Sequence, residues 1–336
     1  MEKTKETTTP TTPNEKLEER STSFLRTMLR IRAFEERVHR MYLEQQLFGM
    51  SPHLCIGEEA MATGVCATLR RDDYIVGTHR SHGHVLAKGT EMHPMMAEIC
   101  GKETGYCKGR GGTMHIADLE VGIVGANGIV GAGLPIATGV GLSIKYRDTD
   151  QVCVCFFGDA ASNQGTFHES INFCCAFQLP VIFVCENNIY GLSTPYQEVS
   201  ATPDVADRAL GYKMPGVIVD GMDVEAVYEA AKDAVAYTRA GKGPYLIEGK
   251  TYRYFGHSAS DQRPYRTREE EENWKSTKDP ITTYKQKLIA EGIIQEVDYQ
   301  RLEEAAQAEA EDAAAFAVAS PDPSVDEVMN YVYFDE

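Results

Sequence analysis

Basic residues are scarce in this chain: 33 lysines and arginines face 50 aspartates and glutamates, a formal charge of −17 over 336 residues. Nucleic acids and anionic membranes are gripped by basic surfaces, so both partner classes are excluded and any phosphate must be held locally. The nine cysteines include no Cys-x-x-Cys pair, and Cys153, Cys155 and Cys185 fall inside apolar runs. That argues against a disulfide scaffold or a zinc ribbon and for buried thiols in a reducing cytoplasm. Neither Gly-x-Gly-x-x-Gly after a strand nor Gly-x-x-x-x-Gly-Lys-Ser/Thr is present, so the dinucleotide and P-loop signatures are missing. The N-terminus lacks an apolar signal core and carries too many acids for a transit peptide. One uncharged stretch, 121–144, is long enough to cross a bilayer, but its seven glycines, Asn127 and Pro135 make it no membrane span.

What is present organises itself around two short segments. Gly158-Asp159-Ala160-Ala161-Ser162-Asn163 follows the apolar run Val152–Phe157, and Glu186-Asn187-Asn188-Ile189-Tyr190 follows Val181–Cys185. The residues between them, Gln164–Leu179, make one helix, so the whole predicts a strand-helix-strand unit, parallel and right-handed. Ligands bind beyond the carboxyl ends of such strands, where Asp159 and Asn188 both project. A carboxylate, an amide oxygen and a main-chain carbonyl near Tyr190 form a hard oxygen set with too few protein ligands for calcium. It suits Mg2+ shared with phosphates.

Taken in order, residues 1–20 are polar and predicted to be disordered. From Ser21 to Tyr42 apolar residues recur at helical spacing. Gly57-Glu58-Glu59 opens a second helix, running to about Leu69. A short strand at Tyr74–Val76 delivers Thr78-His79-Arg80-Ser81-His82-Gly83-His84, and three histidines beside an arginine at a strand end read as an anion and proton-transfer site. The glycine-rich segment 101–133 lets main chain approach a flat ring or a phosphate. Further strands are expected at Val217–Val219 and Tyr245–Ile247. A mobile loop and helix start are expected at Arg263–Glu272, then acidic helices to Ala319 and a short capped helix near Pro323. The fold class is α/β, a mostly parallel sheet with helices on both faces. A single domain over 21–336 ends in a C-terminal helical extension.

With an Asp-to-Asn spacing of 29, the Gly-Asp…Asn-Asn pattern resembles the thiamine-diphosphate motif. Joined to Pro52–Ala60, Gly109–His115, Gly125–Gly131, Asn163–Gly165 and Tyr252–Ser258, it makes the sequence from Ser21 onward similar to the alpha subunits of thiamine-diphosphate-dependent dehydrogenases of pyruvate, branched-chain 2-oxo acids and acetoin. The resemblance implies that Asp159, Asn188 and the Tyr190 carbonyl bind Mg2+. It places Arg80, His257 and His79 at the diphosphate, with backbone amides from Gly158, Asp159, Ala160 and Ala161. It puts main chain of Gly128 and Val130 against the aminopyrimidine, and His53 and His82 at the substrate entrance, in proton transfer or acyl orientation. Two positions depart from the pattern: Ala160 stands where glycine is usual, and His79 where pyruvate and branched-chain enzymes often carry tyrosine. The runs Thr78–His84, Cys155–Asp159 and Asn163–Glu169 look more like acetoin dehydrogenases.

The resemblance further implies a separate beta subunit, supplying the glutamate that activates the cofactor, in an α2β2 heterotetramer. The acetyl group of acetoin or pyruvate would pass to the lipoyl group of a transacetylase. Two readings of other classes stand beside this one. A nucleotide-dependent oxidoreductase would need the missing glycine fingerprint, and a non-catalytic assembly subunit would have no use for intact Asp159, Asn188, Arg80 and His257.

Overall fold

In the computed structural model, residues 13–47, 51–327, 329, 330 and 332 are described. Six strands form one sheet in which every pairing is parallel: β1 (Tyr74–Thr78), β2 (Ile123–Asn127), β3 (Cys153–Gly158), β4 (Val181–Asn187), β7 (Gly216–Asp220) and β8 (Tyr245–Lys250). Their spatial order is β2-β1-β3-β4-β8-β7. The two-residue strands β5 (Tyr190–Gly191) and β6 (Thr194–Pro195) make a separate antiparallel hairpin.

A parallel sheet covered on both faces needs strands that are apolar throughout, and all seven residues of β4 are buried. Alternation along the strands divides the side chains between two cores. Val154, Phe156, Ile182 and Val184 join a core with helices α1 (Pro13–Leu43), α2 (Glu59–Cys66), α3 (His82–Ala87) and α4 (Met92–Ile99). Cys153, Cys155, Phe157, Phe183 and Cys185 join the other, with α5 (Gly133–Arg147), α6 (Gly165–Phe177) and α7 (Tyr196–Val199). Fully buried Phe156, Phe167 and Phe183 contribute about 1.5–3 kcal/mol each. Helix α8 (Val224–Arg239) also packs into the first core, as do α10 (Pro280–Ala290) and α11 (Glu296–Ala319). Arg32 of α1 binds Asp279 at 2.8 Å and also pairs with Glu59, fastening α1 to α2 and to the cap of α10.

The structure differs from the sequence reading in several places. Helix α1 begins at Pro13, inside the tail expected at 1–20 to be disordered; residues 1–12 lie outside the described residues. The reason is that Leu17 to Arg20 continue the helical phase set by the buried stripe Phe24–Met41, and a helix costs little to extend once nucleated. Strand β2 falls within the stretch read as glycine-rich loop. Gly125 at φ +154° and the half-covered edge position hide its pattern. Helix α2 stops at Cys66, and α9 (Arg268–Lys278) starts at the Thr267 cap. The expected last helix is a single 3-10 turn, Val325–Glu327. None of the nine cysteines is in a disulfide, and no helix of the described residues is long and apolar enough to cross a membrane.

Candidate active site

The strand order reverses between β1 and β3, because the chain leaves β1 for β2 on one side and later returns to place β3 on the other. Such a reversal opens a crevice beyond the carboxyl strand ends. A cavity of about 330 Å3 lies there, lined by residues that follow β1, β2, β3, β4 and β8.

At the end of β3 the chain turns into a 3-10 helix, Asp159–Asn163. Ala160 keeps a negative φ in that turn, so alanine replaces glycine there without backbone strain. Asp159 is buried and its Oδ2 has no hydrogen-bond partner. Burial raises its pKa to about 6, against the lowering effect of Arg253. At the end of β4 the Asn188 amide donates from Nδ2 to Glu58 Oε1 at 2.8 Å, which leaves its own buried Oδ1 without a partner. The next residue, Ile189, has φ +77°, a conformation β-branched residues seldom adopt. The surrounding structure enforces this turn, which carries Tyr190 back over the cavity. Two orphaned buried oxygens on one wall fit a hard cation, since burial without a partner otherwise costs about 1–3 kcal/mol per group.

Two guanidiniums also line the cavity. Arg80 donates to the carbonyls of Leu54 (2.6 Å) and His257 (3.0 Å) and stands 3.7 Å from Glu58. Burial and the neighbouring Arg253 pull its pKa down to about 10. Arg253 is buried and donates to the carbonyls of Leu192 (3.0 Å), Phe255 (3.2 Å) and, at 3.5 Å, Tyr190. Burial pushes the Glu58 carboxyl well above the usual carboxylate range, against the lowering effect of Arg80, so it offsets the two guanidiniums less than an ordinary carboxylate would. The positive charge that remains fits an anionic group such as a diphosphate. Beside them lie three imidazoles, with ring centroids 4.8 Å apart for His53 and His79, 4.9 Å for His53 and His257, and 5.3 Å for His79 and His257. Burial first, then the charge of Arg80, lowers their pKa values to about 3 for His53, 2 for His79 and 4 for His257. All three are neutral at physiological pH.

Most residues singled out from the sequence meet here: His79, Arg80, Val130, Gly158, Asp159, Ala160, Ala161, Asn188, Tyr190 and His257 line the cavity. His53 reaches it through its ring contacts with His79 and His257. Gly128 is set back from the wall, where a Cβ would stand 3.5 Å from the His115 ring. His82 lies elsewhere. It is fully buried, with Nδ1 on Glu35 (3.1 Å) and Nε2 on the Thr113 carbonyl (3.0 Å), and it does not line the cavity. The first turn of α3 directs it into the core. Similarly, the loop 107–112 wraps an acid rather than a ligand: Glu98 accepts from the amides of Cys107, Gly109, Gly111 and Gly112 at 2.7–3.0 Å. Sequence reasoning passed over Arg253 and Glu58. Arg253 follows β8 as Arg80 follows β1, a signal that was available. Glu58 reads only as a helix start until the fold brings Asn188 to it.

Fold and site together define an α/β enzyme built around one cavity at the carboxyl ends of a parallel sheet. The chain belongs to the dehydrogenase E1 component family, whose model matches residues 26–326, and is a thiamine-diphosphate-dependent oxidoreductase. It is 48% identical over 316 residues to the alpha subunit of acetoin:2,6-dichlorophenolindophenol oxidoreductase of Bacillus subtilis (strain 168), covering 94% of each chain. To the protein of the same name in Cupriavidus necator it is 42% identical over 308 residues, 92% of each. The somatic, mitochondrial pyruvate dehydrogenase E1 component subunit alpha of Bos taurus is 38% identical over 314 residues, 93% of this chain and 79% of that one.

Proposed function

We propose that this chain holds thiamine diphosphate and Mg2+ in the strand-end cavity, pairs with a beta subunit as a cytoplasmic α2β2 heterotetramer, and acts on acetoin in preference to pyruvate or branched-chain 2-oxo acids. The observation that carries the reading is that two orphaned buried oxygens, Asp159 Oδ2 and Asn188 Oδ1, share one cavity with two buried guanidiniums. A divalent ion and a diphosphate satisfy the oxygens and the guanidiniums together. When bound, thiamine diphosphate supplies the electron sink for breaking a carbon–carbon bond beside a carbonyl.

The protein's own groups then divide the remaining work. Asp159, Asn188 and the Tyr190 carbonyl take the ion, and Glu58 keeps the Asn188 oxygen turned towards it. Arg80, Arg253 and His257 face the diphosphate, joined by His79 and by the amides of Gly158 through Ala161. Val130, on the cavity wall, presents main chain to the aminopyrimidine. His53 and His257, neutral and in contact, can hydrogen-bond a substrate hydroxyl and orient the acyl group. Ile129, Val130 and Leu192 stand at the cavity mouth with 72%, 46% and 58% of their surface exposed, an apolar rim of the kind a partner subunit covers. The acetyl group leaves on the lipoyl group of a transacetylase.

The acetoin preference is supported by the relatives named for acetoin and by the Thr78–His84 run. It is tested by co-expressing the chain with its beta subunit and following Mg2+- and thiamine-diphosphate-dependent reduction of 2,6-dichlorophenolindophenol. Acetoin is expected to give a kcat/KM at least about tenfold above pyruvate, a difference of about 1.4 kcal/mol. Equal or greater turnover of pyruvate would transfer the substrate assignment to the 2-oxo acids.

A further inference from the structure

We infer that His53, His79 and His257 form a site for one late first-row divalent ion, Zn2+ or a chemically similar ion, in the cofactor-free chain. One ring nitrogen from each of the three lies within 4.8 Å of the other two. The rings cross at 78°, 81° and 53° rather than stack, so their edges converge. His53 Nδ1 is buried with no hydrogen-bond partner. Imidazole nitrogens on one tetrahedral ion stand about 3.4 Å apart, given a metal–nitrogen bond near 2.0–2.1 Å. The three side chains come from three separate loops, after residue 50, after β1 and after β8, and small loop movements close that gap.

The cavity therefore carries two sites of different softness. Asp159, Asn188 and the Tyr190 carbonyl offer oxygen, which suits Mg2+, while the histidines offer nitrogen, which suits Zn2+, Co2+, Ni2+ and Cu2+. Three protein ligands leave a fourth position open to water. Arg80 and Arg253 oppose a dication nearby, so micromolar rather than nanomolar binding is expected. Resting on the proposed function, which places His79 and His257 at the diphosphate, the ion and the cofactor exclude one another. The nitrogen site then acts as a metal-sensitive block on cofactor loading.

The test titrates the full chain, stripped of metal, with Co2+ as a coloured stand-in for Zn2+. One equivalent should bind with the visible bands of a tetrahedral nitrogen and oxygen site and no thiolate charge-transfer band, and Zn2+ should displace it. His79→Tyr and His53→Gln, each checked for folding by circular dichroism, should weaken binding about tenfold or more. No Co2+ binding, thiolate bands, or unchanged affinity in whichever variants fold would overturn the site. Thiamine diphosphate with Mg2+, followed through the fluorescence of Trp274, should release the Co2+. Cofactor that binds without releasing it would overturn the mutual exclusion. If no cofactor binds to the chain or to its complex with the beta subunit, it is the proposed function that fails, and the Co2+ titration still decides the ion site.

Discussion

Asp159 works against the stability of the chain that holds it. Its carboxyl is buried with one oxygen unpartnered, and burial lifts its pKa from 3.8 to about 6. The folded state thus binds a proton more tightly than the unfolded state does. Stability from this group is complete below about pH 4 and is lost as the pH rises through about 6. The loss above that is about 2–3 kcal/mol. Asp159→Asn is expected to raise the midpoint of urea unfolding of the cofactor-free chain at pH 8 by an equivalent of about 2 kcal/mol. The gain should shrink as the pH falls and vanish near 4. The same variant should lose Mg2+-dependent cofactor binding, measured by calorimetry. A variant less stable than the parent at pH 8 would show that the orphaned oxygen has a partner in solution. The residue type was legible from the sequence as a strand-end acid; its cost was not, because cost depends on burial that six strands create together.

The turn after β4 and the turn after β3 are built against one another. A Cβ placed on Gly191 would stand 2.5 Å from the Ala160 Cβ, so the β5–β6 hairpin can approach the 3-10 turn only with glycine there. Gly191→Ala must push the hairpin, and with it Tyr190, away from the Asp159 turn. The expected cost is about 1–3 kcal/mol of stability and about a tenfold loss in Mg2+ affinity. Ala160→Gly in the same chain removes the colliding methyl and should recover most of both. A double-mutant cycle on chemical denaturation with no coupling between the two positions would refute the contact. At this scale the residue pattern found the strong elements: β1, β3, β4, β7 and β8 read as apolar runs, and α1 as a helical stripe. Edge strand β2 escaped, since Gly125 and its half-buried neighbours carry no period. Helix α3 escaped because six residues from His82 to Ala87 are too few to show one.

As a whole the chain buries one cavity and leaves its mouth apolar. Ile129 and Leu192 are among the most exposed large side chains at the rim, and nothing among the described residues covers them. Ile129→Asp is expected to abolish co-purification with a beta subunit while changing the stability of the isolated chain by less than about 0.5 kcal/mol, the usual range for an exposed site. Retained assembly, seen by size-exclusion chromatography with light scattering, would place the partner on another face.

The amino-acid sequence alone determined that a strand-helix-strand unit would present Asp159 and Asn188 at adjacent strand ends, because apolar runs and their polar stops are local facts. It determined the charge deficit that rules out nucleic acid, and the family, through motifs that stay close in the chain. Tertiary structure alone decided which candidates share a cavity. Arg253 comes to face Asp159 and Arg80 only when β8 packs beside β4, and Glu58 reaches Asn188 across 130 residues. It also decided that His82 does not join them: the first turn of α3 points that ring at Glu35, in the core beneath the site. Burial and partner choice are properties of packing, and no spacing along a chain encodes them.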